Sequence, residues 1–207
     1  LAPPLLKRLR FGEAKIREAV EGLKSLGELA DPAGRTLSAI ELDRGLELYK
    51  VSCPIGVIGV IFESRPDALV QISALCLKSG NGVLLKGGSE AAETNRILAE
   101  IITRSSSAAG IPEGWLGLLE TRADVADMLA LDDSIDLIIP RGSNAFVKHI
   151  MDNTHIPVLG HADGICHVYV DKAADPEMAR NICVDSKTQY VAVCNAAETL
   201  LVHQEIA

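Results

Sequence analysis

The 207-residue sequence lacks long apolar runs, an excess of basic residues and the usual cysteine patterns. No apolar run approaches the roughly 20 residues that a membrane-spanning helix requires, so we expect no membrane segment. The opening LAPPLLKRLRF has no continuous apolar stretch and no initiator methionine, which indicates a fragment boundary and not a signal peptide. With 28 acidic against 20 basic residues, a net charge of −8 argues against binding to nucleic acid or anionic membranes.

The five cysteines form no C-x-x-C pair, and their odd number fits poorly with a disulfide framework. Reduced thiols predict a cytoplasmic protein, with an organelle not excluded. Cys166 lies near His161 and His167, but their spacing matches no standard zinc pattern, so we expect no metal. Four cysteines are predicted to be packing residues: Cys53, Cys76, Cys166 and Cys183.

Two kinds of pattern divide the chain. Residues 1–48 are predicted to form an amphipathic, helical N-terminal segment, with apolar residues at helical spacing. Strands are then predicted at residues 54–62, 83–86, 115–120 and 135–140, with helices beginning near residues 66, 89, 121 and 142. Ser89 is expected to cap the second of these helices, and Thr121 with Asp124 the third. This alternation predicts an α/β fold with a doubly wound parallel sheet.

Three of the predicted strands end in sequences suited to ligand binding: FESRPD, KGGSE and RGSN. Doubly wound sheets bind ligands at the carboxyl ends of their strands, and glycine-rich turns let backbone N–H groups meet phosphate there. The same residues are also ordinary in loops and caps. The G-x-G-x-x-G motif is absent, which argues against a standard Rossmann dehydrogenase.

Cys194 lies among small side chains in QYVAVCNAAETLL, residues 189–201. Two interpretations stay open from this window, since free cysteine is often a small buried hydrophobe. The alternative is a nucleophile whose small neighbours admit a substrate carbonyl. The residues that follow are interpreted as a helix beginning near Asn195, which would lower the pKa of the thiol.

Four segments together resemble the γ-glutamyl phosphate reductases (glutamate-5-semialdehyde dehydrogenases), which also form the second half of pyrroline-5-carboxylate synthases. The segments are CPIGVIGVIFESRPDALVQISALCLKSGNGVLLKGGSEA, IDLIIPRGSNAFV, GHADGICHVYVD and CNAAETLLVH. The resemblance implies an aldehyde-dehydrogenase-like doubly wound parallel sheet, with a Rossmann-like dinucleotide-binding domain over 49–156. Residues 157–207 are then the start of a truncated α/β catalytic domain.

The resemblance also implies a cofactor site for NADPH. Lys86 matches the lysine that binds the adenosine ribose, and Gly88 belongs to the same turn. Ser89 stands where NAD-preferring relatives keep a glutamate, and serine leaves room for a 2′-phosphate. Gly142 and Ser143 match the loop that packs beside the pyrophosphate.

The catalytic residue that the resemblance implies is Cys194 as the nucleophile. Arg65, His161 and Asn195 are candidates for contacting the oxyanion or the substrate. Arg65 is equally well explained as a surface partner of Asp67. His161 stands near the position of the catalytic glutamate of hydrolytic relatives, and it is equally well explained as a structural histidine.

The implied reaction is NADPH-dependent reduction of L-glutamyl 5-phosphate to L-glutamate 5-semialdehyde and phosphate through a cysteine thioester, in proline biosynthesis. A hydrolytic NAD(P)-dependent aldehyde dehydrogenase is the first alternative, and the absence of a carboxylate at position 161 argues against it. A noncatalytic nucleotide-binding fragment of a larger synthase is the second, because the chain ends thirteen residues after Cys194. Expected partners are the acyl phosphate, a fused or separate glutamate 5-kinase, and further copies in a homo-oligomer.

Overall fold

The computed structural model describes residues 9–63, 65–160, 164–191 and 195–207. The chain divides into two compact units, Leu1–Gly160 and His161–Ala207. The domain boundary expected at 156/157 stays a prediction. None of the described helices combines the length and the apolar character needed to cross a bilayer.

The first unit begins with a helix and a hairpin. Helix α1 spans Glu13–Glu28, and strands β1 (Thr36–Asp43) and β2 (Leu46–Val51) pair antiparallel. The helix prediction over residues 1–48 is therefore confirmed for 13–28 and wrong for 36–48. A β-turn explains the difference, because Gly45 adopts a φ of +79° that lets the chain reverse between the two strands.

A four-stranded parallel sheet forms the centre of this unit, which confirms the predicted architecture. Its strands are β3 (Val57–Ile61), β4 (Gly82–Lys86), β5 (Leu116–Leu119) and β6 (Leu137–Pro140). Helices follow each of them: α2 (Pro66–Lys78), α3 (Ala92–Ala108), α4 (Arg122–Leu129) and α5 (Asn144–Asp152). The strand order is β5-β4-β3-β6.

Side chains pack on both faces of the sheet, as expected for a parallel sheet between helices. Val60 belongs to one buried cluster, together with Leu69 of α2 and Leu85 of β4. Its neighbour Ile61 belongs to the opposite cluster, with Met128 of α4. Successive residues of β3 thus face opposite layers of the fold. Because both faces of this strand are buried, its sequence is apolar at every position instead of alternating.

Local capping signals were correct at one helix and wrong at another. Thr121 and Asp124 form the expected capping box at α4, with Asp124 N donating to Thr121 Oγ1 at 3.1 Å. Hydrogen bonds to the Asp124 carboxyl lower its pKa; the largest contribution comes from the Thr121 hydroxyl and smaller ones come from backbone N–H groups. Ser89 makes no capping hydrogen bond, because it opens a 3₁₀ turn, Ser89–Ala91, that precedes α3.

The second unit is a β-α-β element. Strands β7 (Cys166–Val170) and β8 (Ala197–Val202) pair in parallel, and helix α6 (Pro176–Thr188) connects them. The helix predicted from Asn195 is wrong, since β8 occupies those residues. Pairing with β7 decides the outcome, because an apolar run this short fits a helix or a strand equally well.

Candidate functional site

Three strand ends lie side by side along one edge of the central sheet. The chain order reverses between β3 and β6, because β3 leads to β4 on one side while β6 returns on the other. Such a switch point creates a crevice at the carboxyl ends of the strands. Phe62 N donates to the Lys86 carbonyl at 2.9 Å, and Arg141 N donates to the Ile61 carbonyl at 2.8 Å. These hydrogen bonds keep the three strands paired up to the point where each one leaves the sheet.

Lys86 ends β4 with a nearly buried side chain, 9% exposed. Its Nζ donates to the Gly87 carbonyl at 2.6 Å. An ammonium carries three donors, so among the described residues this lysine retains capacity to bind a ligand. Its role in binding the adenosine ribose stays a prediction.

The Gly87-Gly88 turn comes next and brings bare backbone close to its neighbours. A Cβ on Gly87 would overlap the side-chain amide of Asn95 and lie 3.3 Å from Phe62 Cε2. A Cβ on Gly88 would overlap the Glu90 carboxylate. The backbone does not require glycine at position 88, because its φ of −63° is open to any residue and the Glu90 side chain can move aside.

Helix α3 follows this turn after the 3₁₀ turn Ser89–Ala91, and neither element has a side-chain cap, although Ala91 N and Ala92 N donate to the Gly88 and Ser89 carbonyls. The first N–H groups of a helix have no acceptors within the helix, and its N-terminus favours negative charge. A 17-residue helix behind a glycine turn is the arrangement in which proteins bind phosphate groups. The exposed Ser89 stands at this point.

Asn95 is a residue of this region that the sequence did not reveal. Its side chain is 2% exposed, and its buried Oδ1 has no hydrogen-bond partner among the described residues. It borders a small cavity of about 10 Å³ that also contacts the glycine turn. The lining residues are Gly87, Gly88, Ser89, Ala92, Asn95, Leu118, Leu119 and Glu120. A signal was present, because Asn95 falls at helical spacing between the buried Ala91 and Ala99.

The turn after β6 lies on the other side of β3. A Cβ on Gly142 would lie 2.9 Å from Phe146 Cδ1 and 3.3 Å from Glu63 Oε1. Ser143 caps α5, its Oγ accepting from Phe146 N at 3.3 Å. The two segments predicted to bind a cofactor, 86–89 and 142–143, therefore flank the end of β3.

Arg65 lies after β3 and is paired within its own segment. Its Nη2 is 3.1 Å from Asp67 Oδ2, and Lys15 Nζ is 3.4 Å from Asp67 Oδ1. The structure thus contains the surface pair that the sequence suggested. An anion-binding role for Arg65 stays a prediction.

A larger groove of about 530 Å³ runs between β3 and α2 in the same unit. Its walls are mainly aliphatic, and it reaches the sheet edge at Phe62 and Arg141. Concave, mainly apolar spaces of this size accommodate small ligands. Space for a small molecule therefore lies close to the strand ends.

The predicted nucleophile and one candidate contact, Cys194 and His161, lie outside the described residues. Asn195 is exposed in the turn before β8. Within the described part of the chain, no group of three or more His, Cys, Asp and Glu side chains could hold a metal ion.

Two other cysteines differ sharply in their surroundings. Cys76 is buried under the sheet, and burial raises the pKa of its thiol to about 11, so it is protonated at neutral pH. Cys53 is exposed in the segment between the hairpin and β3, so its prediction as a packing residue is wrong.

Comparison with known proteins identifies the family of the chain. The model of the aldehyde dehydrogenase family matches residues 6–207. A γ-glutamyl phosphate reductase from Pelotomaculum thermopropionicum is 73% identical over 207 residues, which is 100% of this chain and 48% of that protein. One from Acetivibrio thermocellus is 70% identical with the same coverage. The chain thus spans about half the length of the curated relatives that it matches.

Solved structures give the same result. The crystal structure of γ-glutamyl phosphate reductase from Thermotoga maritima matches with a TM-score of 0.92 and 36% identity, covering 100% of this chain and 50% of that one. The enzyme of the same name from Saccharomyces cerevisiae matches with a TM-score of 0.70 and 48% identity, covering 100% and 52%.

Proposed function

The chain belongs to the aldehyde dehydrogenase family, and we propose that the protein reduces L-glutamyl 5-phosphate to L-glutamate 5-semialdehyde and phosphate with NADPH, in proline biosynthesis. The observation that carries this proposal is the 73% identity, over all 207 residues, to a protein named γ-glutamyl phosphate reductase. The switch-point crevice between two glycine turns supports the same activity. The comparisons do not favour a hydrolytic aldehyde dehydrogenase.

The residues at the sheet edge fit a nicotinamide dinucleotide, which would supply a hydride to the substrate. Glycine at positions 87 and 142 leaves space that a side chain would fill, and the start of α3 has no side-chain cap. In this proposal the Lys86 ammonium donates to the adenosine ribose. Ser89 admits a 2′-phosphate, and the Gly142-Ser143 turn lies beside the pyrophosphate.

The proposed chemistry uses the Cys194 thiolate. It attacks the acyl carbon, the C–O bond to phosphate breaks, and phosphate leaves with the electron pair, so a thioester forms. After hydride addition to the thioester carbon, the C–S bond breaks and the thiolate is restored. Backbone N–H groups at the cysteine would stabilise the oxyanion, with Arg65, His161 and Asn195 as candidate contacts.

The proposal extends to partners. A fused or separate glutamate 5-kinase would supply the acyl phosphate. We also propose a homo-oligomer, because every residue of the β1–β2 hairpin is exposed and many are apolar. A ribbon with two open edges and apolar side chains is typical of a surface that another chain covers. A cytoplasmic location, with an organelle not excluded, follows from the expectation of reduced thiols.

The experiment is an assay of the full-length gene product in the reverse direction, with L-glutamate 5-semialdehyde and NADP. We expect NADP reduction that depends on added phosphate, because phosphate must attack the thioester to form the acyl phosphate. Oxidation of the aldehyde to glutamate without phosphate would instead establish the hydrolytic alternative. A chain that binds NADP without any turnover would establish the noncatalytic one.

A further inference from the structure

Asn95 and Asn81 are both buried, but only the side chain of Asn81 has a hydrogen-bond partner for its amide oxygen among the described residues. Asn81 Oδ1 accepts from Gly56 N at 2.8 Å, and its Nδ2 donates to Ser79 Oγ at 2.7 Å, so the fold itself explains this residue. Asn95 Oδ1 is buried without a partner among the described residues. Because an unpaired buried acceptor destabilises a fold, Asn95 needs another explanation.

The surroundings of Asn95 indicate a ligand. Its amide lies against Gly87, where a Cβ would overlap it, and it borders the cavity of about 10 Å³ next to Ser89. A cavity of this size admits about one water-sized group. A carbonyl oxygen accepts hydrogen bonds, so the group that completes this site is a single donor such as a hydroxyl.

We propose that Asn95 is a further ligand-binding residue of the dinucleotide site. Its Oδ1 accepts a hydrogen bond from a hydroxyl of the adenosine ribose, directly or through one water. This inference rests on the proposed function, because it requires that a dinucleotide binds at the Lys86–Ser89 turn. In NADPH the 2′ position carries a phosphate ester, so the donor is the 3′-hydroxyl, which NADH shares.

A shared hydroxyl gives this site a distinctive signature. Loss of the Asn95 acceptor weakens the binding of NADPH and of NADH by the same factor, so the ratio of the two affinities is unchanged. Replacing Ser89 should change that ratio, because a residue that faces the 2′ position distinguishes the two dinucleotides. The two positions are therefore separable by titrating each variant with both dinucleotides.

The test compares Asn95→Leu and Asn95→Ala with wild type, by fluorescence titration of the full-length gene product. We expect each variant to bind both dinucleotides about three- to tenfold more weakly, the effect of one neutral hydrogen bond. The thermal midpoint of ligand-free Asn95→Leu should equal or exceed that of wild type, because an unpaired polar group is replaced by an apolar one of similar size.

Ser106→Ala is the matched control on the same helix. Ser106 is also buried, but its Oγ accepts from Trp115 Nε1 and donates to the Thr103 carbonyl, both at 2.9 Å. This variant should lower the thermal midpoint and bind both dinucleotides as wild type does. It therefore shows the behaviour of a buried polar residue with a purely structural role.

Several results would overturn the inference. Asn95 variants that bind both dinucleotides as tightly as wild type would give Asn95 only a structural role, while the proposed function stands. A changed NADPH-to-NADH ratio would mean that Asn95 faces the 2′ position and not the shared hydroxyl. If the wild-type protein binds neither dinucleotide, the proposed function itself fails, and the inference with it. Asn95→Ala decides the question if the leucine variant does not fold.

Discussion

Phe62 and Lys86 lie one beside the other where two central strands end, with Phe62 N donating to the Lys86 carbonyl at 2.9 Å. This bond extends the parallel pairing of β3 and β4 by one step beyond Ile61 and Lys86. It fixes the backbone of Lys86 at the crevice, where our proposal has its ammonium bind the cofactor. The predictions below test the residues positioned at this edge.

Replacing Lys86 with methionine should weaken NADPH binding by about ten- to a hundredfold, because a hydrogen bond from a charged donor is lost. The fold should tolerate methionine, which has a similar length and no charge to bury. Lys148→Met is the control, since this exposed lysine pairs with Asp152 on the surface of α5. Equal NADPH affinity in the two variants would remove Lys86 from the proposed site. Fluorescence titration measures both.

Replacing Gly87 with alanine should displace the turn, because the new Cβ overlaps the Asn95 amide. We expect a loss of about 1–3 kcal/mol in the free energy of unfolding, together with weaker NADPH binding. Gly22→Ala is the matched control. Gly22 lies within α1, and a Cβ added there would meet no atom within 4 Å, so alanine should raise the free energy of unfolding by about 0.5–1 kcal/mol. Denaturant titration measures both changes, and stabilisation by Gly87→Ala would contradict the tight turn.

The exposed Ser89 sets the cofactor preference in our proposal, so Ser89→Glu should narrow or invert the preference for NADPH over NADH. A carboxylate at this turn would repel the 2′-phosphate and accept from the 2′-hydroxyl of NADH. Steady-state kinetics with each cofactor give the two kcat/KM values. An unchanged ratio would show that Ser89 does not face the 2′ position.

Thiol reactivity should follow burial. At pH 7.5 iodoacetamide should modify Cys53 well before Cys76, because Cys53 is exposed while burial raises the pKa of Cys76 to about 11. Only the thiolate reacts, so Cys76 should label after unfolding. Peptide mass spectrometry over a time course measures both rates. Rapid labelling of Cys76 in the folded protein would contradict its packing under the sheet.

The sequence allowed the central sheet to be predicted because its strands are apolar runs between clear turn signals. Once the β-α-β order was known, Lys86 and Gly142 had to lie at strand ends on the same edge. The hairpin could not be foreseen in this way, since its strands are exposed throughout and no buried face imposes a period. Asn95 escaped notice because its burial depends on the Gly87 turn packing against α3.

The stretch after Cys194 shows the same limit. Residues 197–202 fit a helix or a strand, and only the pairing of β8 with β7 decides between them. Because the predicted helix is not formed, its N-terminus cannot lower the pKa of the Cys194 thiol. Activation of that thiol in our proposal must therefore come from other groups near the cysteine.

The most direct test of the account is the rate of NADPH oxidation with L-glutamyl 5-phosphate by Cys194→Ala, measured beside wild type in the full-length gene product. We predict that the wild-type protein turns over and that the variant keeps less than about one per cent of its rate, because no thioester forms. NADPH affinity should change less than about twofold, since Lys86 and the glycine turns are intact. A variant that retains more than a few per cent of wild-type turnover would show that the sulfur is not the nucleophile and would contradict the proposed mechanism.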